Sequence, residues 1–381
     1  MIPRLIAPRI MQRLEAGGKA ILIFGARQVG KTTLVQTLLR NTSYRVLTVS
    51  ADEGIVADVL SSRDLNRLRG FVSGYDLLFV DEAQRVPEIG LNLKLLVDHV
   101  PGLRLIATGS SSLHLASRAR EPLTGRAWTY RLHPIALCEL AQLHTPYELN
   151  RSLPERLVFG SYPEIFALES DADKREYLSN LVASYLYKDV LEIGNLRYSH
   201  RLRDLLRLLA FQIGQEVSLS ELGAQLQMSK ETVASYIDLL EQSFVVFRLT
   251  GFSRNLRKEI SKRDKIYFWD TGVRNMLIDN LKRLDARNDA GALWENFMIA
   301  ERRKWIEYQG LSAGLYFWRT HTGAEIDLVE DRDGQLTGYE YKWSGRKARA
   351  PQSFLDAYPG AVYQVVTPDN CLPHVSGLPF Q

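Results

Sequence analysis

Cysteine is nearly absent: the 381 residues contain two, Cys138 and Cys371. They lie far apart and match no metal-binding spacing, so no disulfide framework is expected and a reducing compartment is. No run approaches the ~18 apolar residues of a membrane span. The first twenty residues carry prolines and arginines where an export signal needs an apolar centre, so the expected location is the cytoplasm. Internal repeats and low-complexity segments are missing too. Excess charge is small, with a net +4 and a pI near 8.9, which is compatible with nucleic acid but does not require it. What remains is the balance of a soluble globular protein, 45% hydrophobic and 24% charged, at a length that suits two or three domains.

The most informative stretch is Gly25-Ala26-Arg27-Gln28-Val29-Gly30-Lys31-Thr32, which reads G-x-x-x-x-G-K-T. It follows the apolar run Ala20 to Phe24 and leads through Thr33 into helical spacing, the strand, loop, helix order of a P-loop. Gly25 and Gly30 let the backbone N–H groups of the loop converge on phosphate, and the helix starting near Lys31 adds its positive end. Lys31 is expected at the β- and γ-phosphates of ATP and the Thr32 hydroxyl on Mg²⁺.

Asp76 to Glu82 continues the pattern: four apolar residues, as in a strand buried on both faces, end in Asp81-Glu82. Asp81 is expected to hold Mg²⁺ through water and Glu82 to act as general base on the attacking water, which favours hydrolysis over mere nucleotide binding. A strand from Leu103 to Ala107 ends in Thr108-Gly109-Ser110-Ser111-Ser112. Thr108, Ser110 and Ser111 are all candidates to contact the γ-phosphate, and any of them could also cap the helix that follows. Strand candidates at Arg45–Val49 and Trp128–Leu132 complete five strands, so a doubly wound α/β domain is expected, with nucleotide at the carboxyl ends of the strands.

These residues carry a resemblance. Gly25–Thr32, Leu77–Glu82 and Thr108–Ser111 resemble Walker A, Walker B and sensor 1 of the AAA+ ATPases. The segment Leu123-Thr124-Gly125-Arg126 with His133-Pro134 is similar to that of a prokaryotic subgroup. The resemblance implies a homo-oligomeric ring, often a hexamer, in which an arginine reaches the neighbour's γ-phosphate. Arg126 is the first candidate, followed by Arg118 and Arg120.

A turn-rich break at Phe159–Glu164 sets a boundary near residue 150, and the expected domains are 1–150, 151–285 and 286–381. In the middle region a long helix is expected over Asp173–Ile193. Then come helices at Arg201–Ile213, at Glu221–Leu226 capped by Ser220, and at Glu231–Gln242 capped by Ser229. Strands at Phe244–Leu249 and Lys265–Trp269 complete a winged helix-turn-helix. Ser229, Lys230, Thr232, Ser235 and Tyr236 are the expected exposed positions of its third helix. Arg254, Arg257, Lys258, Lys262, Arg263 and Lys265 are expected to grip DNA phosphates. A solvated lid of the ATPase is the alternative.

In the C-terminal region, Glu325–Val329 and Gly338–Trp343 read as a hairpin around the Asp331–Gly334 turn. Two-residue periodicity puts Glu340 and Lys342 on one face, with Asp327 opposite. An acid followed by Glu-x-Lys resembles the restriction-endonuclease-like (PD-(D/E)xK) superfamily, and Glu295 resembles its helical acid. That resemblance implies Mg²⁺ on Asp327 and Glu340, with Lys342 steadying phosphate charge. Arg346, Lys347 and Arg349 add positive charge nearby. A cross-strand charge pair without catalysis is the alternative. The whole chain resembles AAA+ ATPases fused to a winged helix and such a tail. Three functions follow: an ATP-driven motor on DNA, branched or recombining DNA included; an ATP-gated nuclease; and a nucleotide-dependent scaffold.

Overall fold

The computed structural model describes residues 2–110, 123–186, 199–253, 264–344 and 348–376. The fold is mixed α/β and divides into two compact units. The first is Pro3–His133 with Gln242–Phe244; the second is Pro134–Glu241 and Val245 onward.

In the first unit, β1 (Ala20–Phe24), β2 (Val46–Ser50), β3 (Leu77–Asp81), β4 (Arg104–Gly109) and β5 (Ala127–Arg131) form one sheet in the order β2-β3-β4-β1-β5. Every pairing is parallel. β1 and the apolar part of β3 are buried on both faces, as their unbroken apolar runs require. Each such Leu, Ile or Phe contributes ~1.5–3 kcal/mol of burial, so the central strands form a stiff floor. The chain order reverses beside β1, between β4 and β5, and the loop after β1 opens there.

In the second unit, β6 (Val246–Gly251), β7 (Lys265–Phe268), β8 (Gly314–Arg319), β9 (Glu325–Arg332), β10 (Gln335–Tyr341) and β11 (Val362–Val366) form a sheet in the order β11-β10-β9-β8-β6-β7. β9 and β10 are the expected hairpin, closed by Asp331 Oδ1 accepting from Gly334 N at 3.1 Å. Phe252, Trp318, Ile326, Val329, Leu336 and Phe354 make a core on this sheet. The twenty-residue helix Ala290–Gln309 buries Trp294 and Phe297, and its Arg302 makes a two-pronged pair with Glu330 at 2.7 and 3.0 Å.

Helices Ser199–Phe211, Leu219–Leu226 and Lys230–Gln242 followed by the antiparallel β6–β7 pair appear in the expected order. On the other edge of β6, Thr250 and Gly251 pair in parallel with Tyr316 and Phe317, so the hairpin is part of the large sheet. The cap of Leu219–Leu226 is Ser218, whose hydroxyl accepts from Glu221 N, and not Ser220. The expected helix Asp173–Ile193 is Asp171–Asn180, followed by a π-helical turn Leu181–Leu186; the remainder lies outside the described residues. Among the described residues no helix is long and apolar enough to cross a membrane.

Candidate functional site

The loop after β1 is held from both sides. Gly25 N donates to Gly109 O at 3.3 Å, and Leu132 N donates to Phe24 O at 2.7 Å. A Cβ on Gly25 would sit 2.1 Å from Leu132 O, so only glycine fits there. Gly30 has φ 92° and ψ 29°, a left-handed conformation that favours glycine, and it hands the chain to helix Lys31–Leu39. Arg4 clamps the loop from outside, donating from Nη1 to Val29 O at 2.8 Å and from Nη2 to His133 O at 2.6 Å. Lys31 Nζ folds over the loop onto Gly25 O at 2.9 Å and Ala26 O at 3.0 Å. Val29 is buried beneath the loop, whereas Gln28, at φ 62°, and Thr33 are exposed; Arg27 is half-buried.

The acids at the end of β3 meet this loop. Thr32 Oγ1 donates to Asp81 Oδ2 at 2.8 Å, and Thr108 Oγ1, fully buried, donates to Asp81 Oδ1. A hydroxyl beside a carboxylate is the hard-oxygen donor set that suits Mg²⁺. Glu82 follows at φ 51° and ψ 39°, with its N–H on Asp81 Oδ1 at 3.1 Å. Such a left-handed non-glycine residue costs ~1–3 kcal/mol and turns the side chain out of the strand's alternation. Among the described residues neither Asp81 nor Glu82 has an ion-pair partner, so their charge is held by neutral donors. Of the three sensor candidates, Thr108 holds Asp81, Ser110 accepts from Gln84 Nε2 at 2.9 Å, and Ser111 lies outside the described residues.

Arg126 sits where β5 begins, at the sheet end opposite the loop, and pairs with Asp98 at 2.7 Å. Its hydrogen bond holds the Asp98 carboxyl below the usual range. Arg118 and Arg120 lie outside the described residues. Residues that sequence reading missed are Arg4 and Gln84. Gln84 stands two places after Glu82, but nothing in its spacing announced a role, and Arg4 is 21 residues from the nearest motif glycine.

The second unit gathers a different acidic cluster. Glu295, on helix Ala290–Gln309, accepts from Tyr267 Oη at 2.6 Å and lies 3.4 Å from Lys265 Nζ, which also pairs with Glu325. Asp327 Oδ2 accepts from Tyr341 N at 2.8 Å, and Lys342 Nζ pairs with Glu340. Burial, then the Glu295 and Glu340 charges, raises the Asp327 carboxyl well above its ordinary value; burial likewise raises Glu295, against the pull of Lys265. Burial lowers the Lys265 and Lys342 ammoniums, but the carboxylates facing each outweigh it, and both end raised. The four residues expected together thus share one neighbourhood. Among the described residues, no group of three or more His, Cys, Asp or Glu side chains is arranged to hold a metal ion.

Two expected DNA contacts are corrected. Lys265 is 1% exposed and paired to Glu295 and Glu325, so it cannot grip a phosphate at the surface. Tyr236 is buried as well, on the core side of its helix, while Ser229, Lys230 and Ser235 are exposed and Thr232 is half-buried. Arg254, Arg257, Lys258, Lys262, Arg263, Arg346 and Lys347 lie outside the described residues.

The parallel sheet, the glycine loop and the paired acids at one sheet end define an AAA-type ATPase. Residues 17–141 match the family model described as "AAA domain". Residues 150–284 and 290–375 match two described as "Domain of unknown function", DUF8612 and DUF4143. The chain belongs to the same family as an uncharacterized protein of Mycobacterium tuberculosis, to which it is 32% identical over 346 residues, covering 90% of this chain and 74% of that one. An uncharacterized protein of Methanocaldococcus jannaschii is 25% identical over 332 residues, 82% of this chain and 72% of that one. Among solved structures, the Walker-type ATPase of Pyrococcus abyssi aligns with TM-score 0.47 and 16% identity, over 73% of this chain and 96% of that one.

Proposed function

We propose that the protein binds Mg²⁺-ATP at the loop Gly25–Thr32 and hydrolyses it, and that the turnover drives action on DNA. One observation carries the hydrolytic part: Thr32, Asp81 and Thr108 form one hydrogen-bonded set at the phosphate loop, with Glu82 beside it and no cation neutralising either acid among the described residues. When bound, the metal supplies charge to the β- and γ-phosphate oxygens. Thr32 and Asp81 would hold it. Lys31 leaves the Gly25 and Ala26 carbonyls for phosphate oxygens, the loop amides cradle the rest, and Glu82 accepts the proton of the attacking water. Replacing Glu82 by Gln keeps nucleotide binding and abolishes turnover if this assignment holds; turnover at the unmodified rate rejects it.

For DNA, the support is the exposed Ser229, Lys230 and Ser235 on helix Lys230–Gln242 and the basic sequence Arg254–Arg263, contacts that favour phosphates over base edges. The test is filter binding across salt with duplex, single-stranded and four-way DNA, together with ATP turnover on each. Absence of both binding and stimulation rejects a DNA-directed motor. A ring, hexameric by resemblance, requires Arg126 to exchange Asp98 for a neighbour's nucleotide. Arg126→Ala then lowers turnover, and turnover per chain rises with protein concentration in the unmodified protein alone.

A second reading, metal-dependent DNA cleavage, is favoured by the shared neighbourhood of Glu295, Asp327, Glu340 and Lys342. Lys265 weighs against it, since an ammonium already neutralises two of the nearby acids. Nicking that depends on Mg²⁺ or Mn²⁺ and disappears in Asp327→Ala, Glu340→Ala and Lys342→Ala supports cleavage; nicking that survives all three rejects the assignment.

A further inference from the structure

We infer that Gln84 is a positioning residue that ties the Ser110 hydroxyl to the Glu82 carboxylate and so orients the general base when a terminal phosphate is present; the inference rests on the hydrolytic reading above. Gln84 lies in the 3₁₀ turn Ala83–Arg85 directly after β3. Its Nε2 donates to Glu82 Oε2 and, at 2.9 Å, to Ser110 Oγ. The orientation of the amide is fixed by its neighbour: an ionised carboxylate only accepts, so the NH₂ end must face Glu82. Both amide hydrogens are thereby spent on the two groups the turn joins. Among the described residues Gln84 Oε1 is left buried without a partner, a cost that a merely structural glutamine would avoid by turning outward.

Ser110 is the residue after the contact with the cradle, where the Gly109 carbonyl accepts from Gly25 N at 3.3 Å. Because Ser110 Oγ accepts from Gln84, its own hydrogen remains to be donated to a phosphate oxygen. Because Gln84 takes Glu82 Oε2, Oε1 remains to accept the proton of the attacking water. Phosphate, Ser110, Gln84 and Glu82 thus form one relay in which Gln84 donates at both ends, to Glu82 on one side and to Ser110 on the other, and Ser110 donates on to phosphate. The base points correctly only when the relay is complete.

The experiment measures steady-state ATP turnover with Mg²⁺, and affinity for a fluorescent ATP analogue, in the full chain and in Gln84→Ala, Ser110→Ala, the double variant and Gln84→Glu. The relay predicts that kcat falls ~10–100-fold in Gln84→Ala while analogue affinity stays within about twofold, the size expected for a misplaced base. Ser110→Ala falls comparably, and the double variant falls no further than the worse single one. Gln84→Glu sets two carboxyls face to face. Its turnover is lost near neutral pH and recovers in part as the pH is lowered and the introduced carboxyl gains a proton to donate, which a packing defect would not do. Turnover of Gln84→Ala within twofold of the unmodified chain overturns the inference, as do multiplicative losses in the double variant. If the unmodified chain shows no turnover, the hydrolytic reading itself fails and the relay with it; retained turnover with an indifferent Gln84 rejects the relay alone.

Discussion

Asp81 and Glu82 in the first unit are held by two threonine hydroxyls, a backbone N–H and a glutamine amide. Glu295, Glu325 and Asp327 in the second are held by a buried lysine, a tyrosine and a backbone N–H. The difference lies in where the counter-charge comes from. Neutral donors fix the geometry of Asp81 and Glu82 and, among the described residues, leave the two acids with no cationic partner, as the proposed Mg²⁺ site requires. In the second cluster Lys265 supplies the positive charge internally, at 1% exposure, and Asp327 is pushed toward its neutral form. Charge kept available marks a site built for a visiting ligand, whereas charge cancelled within the fold does structural work.

Substitutions can break this comparison, and the largest effect belongs to the first unit. Lys31→Ala removes the ammonium from the phosphate loop and is expected to lower ATP turnover at least ~100-fold, measured as phosphate release. Equal turnover would mean that the loop is not where the chemistry occurs. Next comes the second unit: Lys265→Met takes the buried ammonium from Glu295 and from the part-exposed Glu325, which keeps Arg319 at 4.0 Å, and is expected to cost ~3 kcal/mol in urea unfolding, the low end for a broken buried pair. Adding Glu295→Gln should restore part of that loss, because it removes one of the stranded charges. If Lys265→Met unfolds like the unmodified protein, the cluster does not depend on its lysine.

A smaller effect carries a sign. The Asp327 carboxyl is raised in the folded chain, so its contribution to stability is complete below the ordinary aspartate range and is lost as pH rises toward the folded value. Asp327→Asn keeps an acceptor for Tyr341 N and has no charge to lose. Its melting temperature should match the unmodified protein near pH 4 and exceed it by ~2–4 °C near pH 8. A gain that is the same at both pH values would contradict the assignment.

The first unit was legible because its chemistry is written in contiguous strings. Gly25 to Thr32 sits between one strand and one helix, and Asp81-Glu82 closes a single apolar run, so local pattern was enough. Thr108 was among the candidates, but its attachment to Asp81 was not readable, since it depends on β3 lying beside β4. In the second unit the acids and Lys342 were found by hairpin periodicity. Lys265 was misread as the end of a basic run, because β7 joins the sheet through the pairing of β6 with β8 some sixty residues away. A charge run looks solvated until a distant strand covers one of its members. Tyr236 failed for a related reason: one aromatic on a helix of mixed polarity does not say which face the core takes.

The most direct measurement compares ATP turnover and ATP affinity for the unmodified chain and Glu82→Gln in the presence of Mg²⁺. The account predicts steady hydrolysis by the former and, for the latter, undiminished binding with turnover reduced by at least ~100-fold. Hydrolysis by Glu82→Gln at the unmodified rate, or no hydrolysis by a folded unmodified chain that binds ATP, would contradict it.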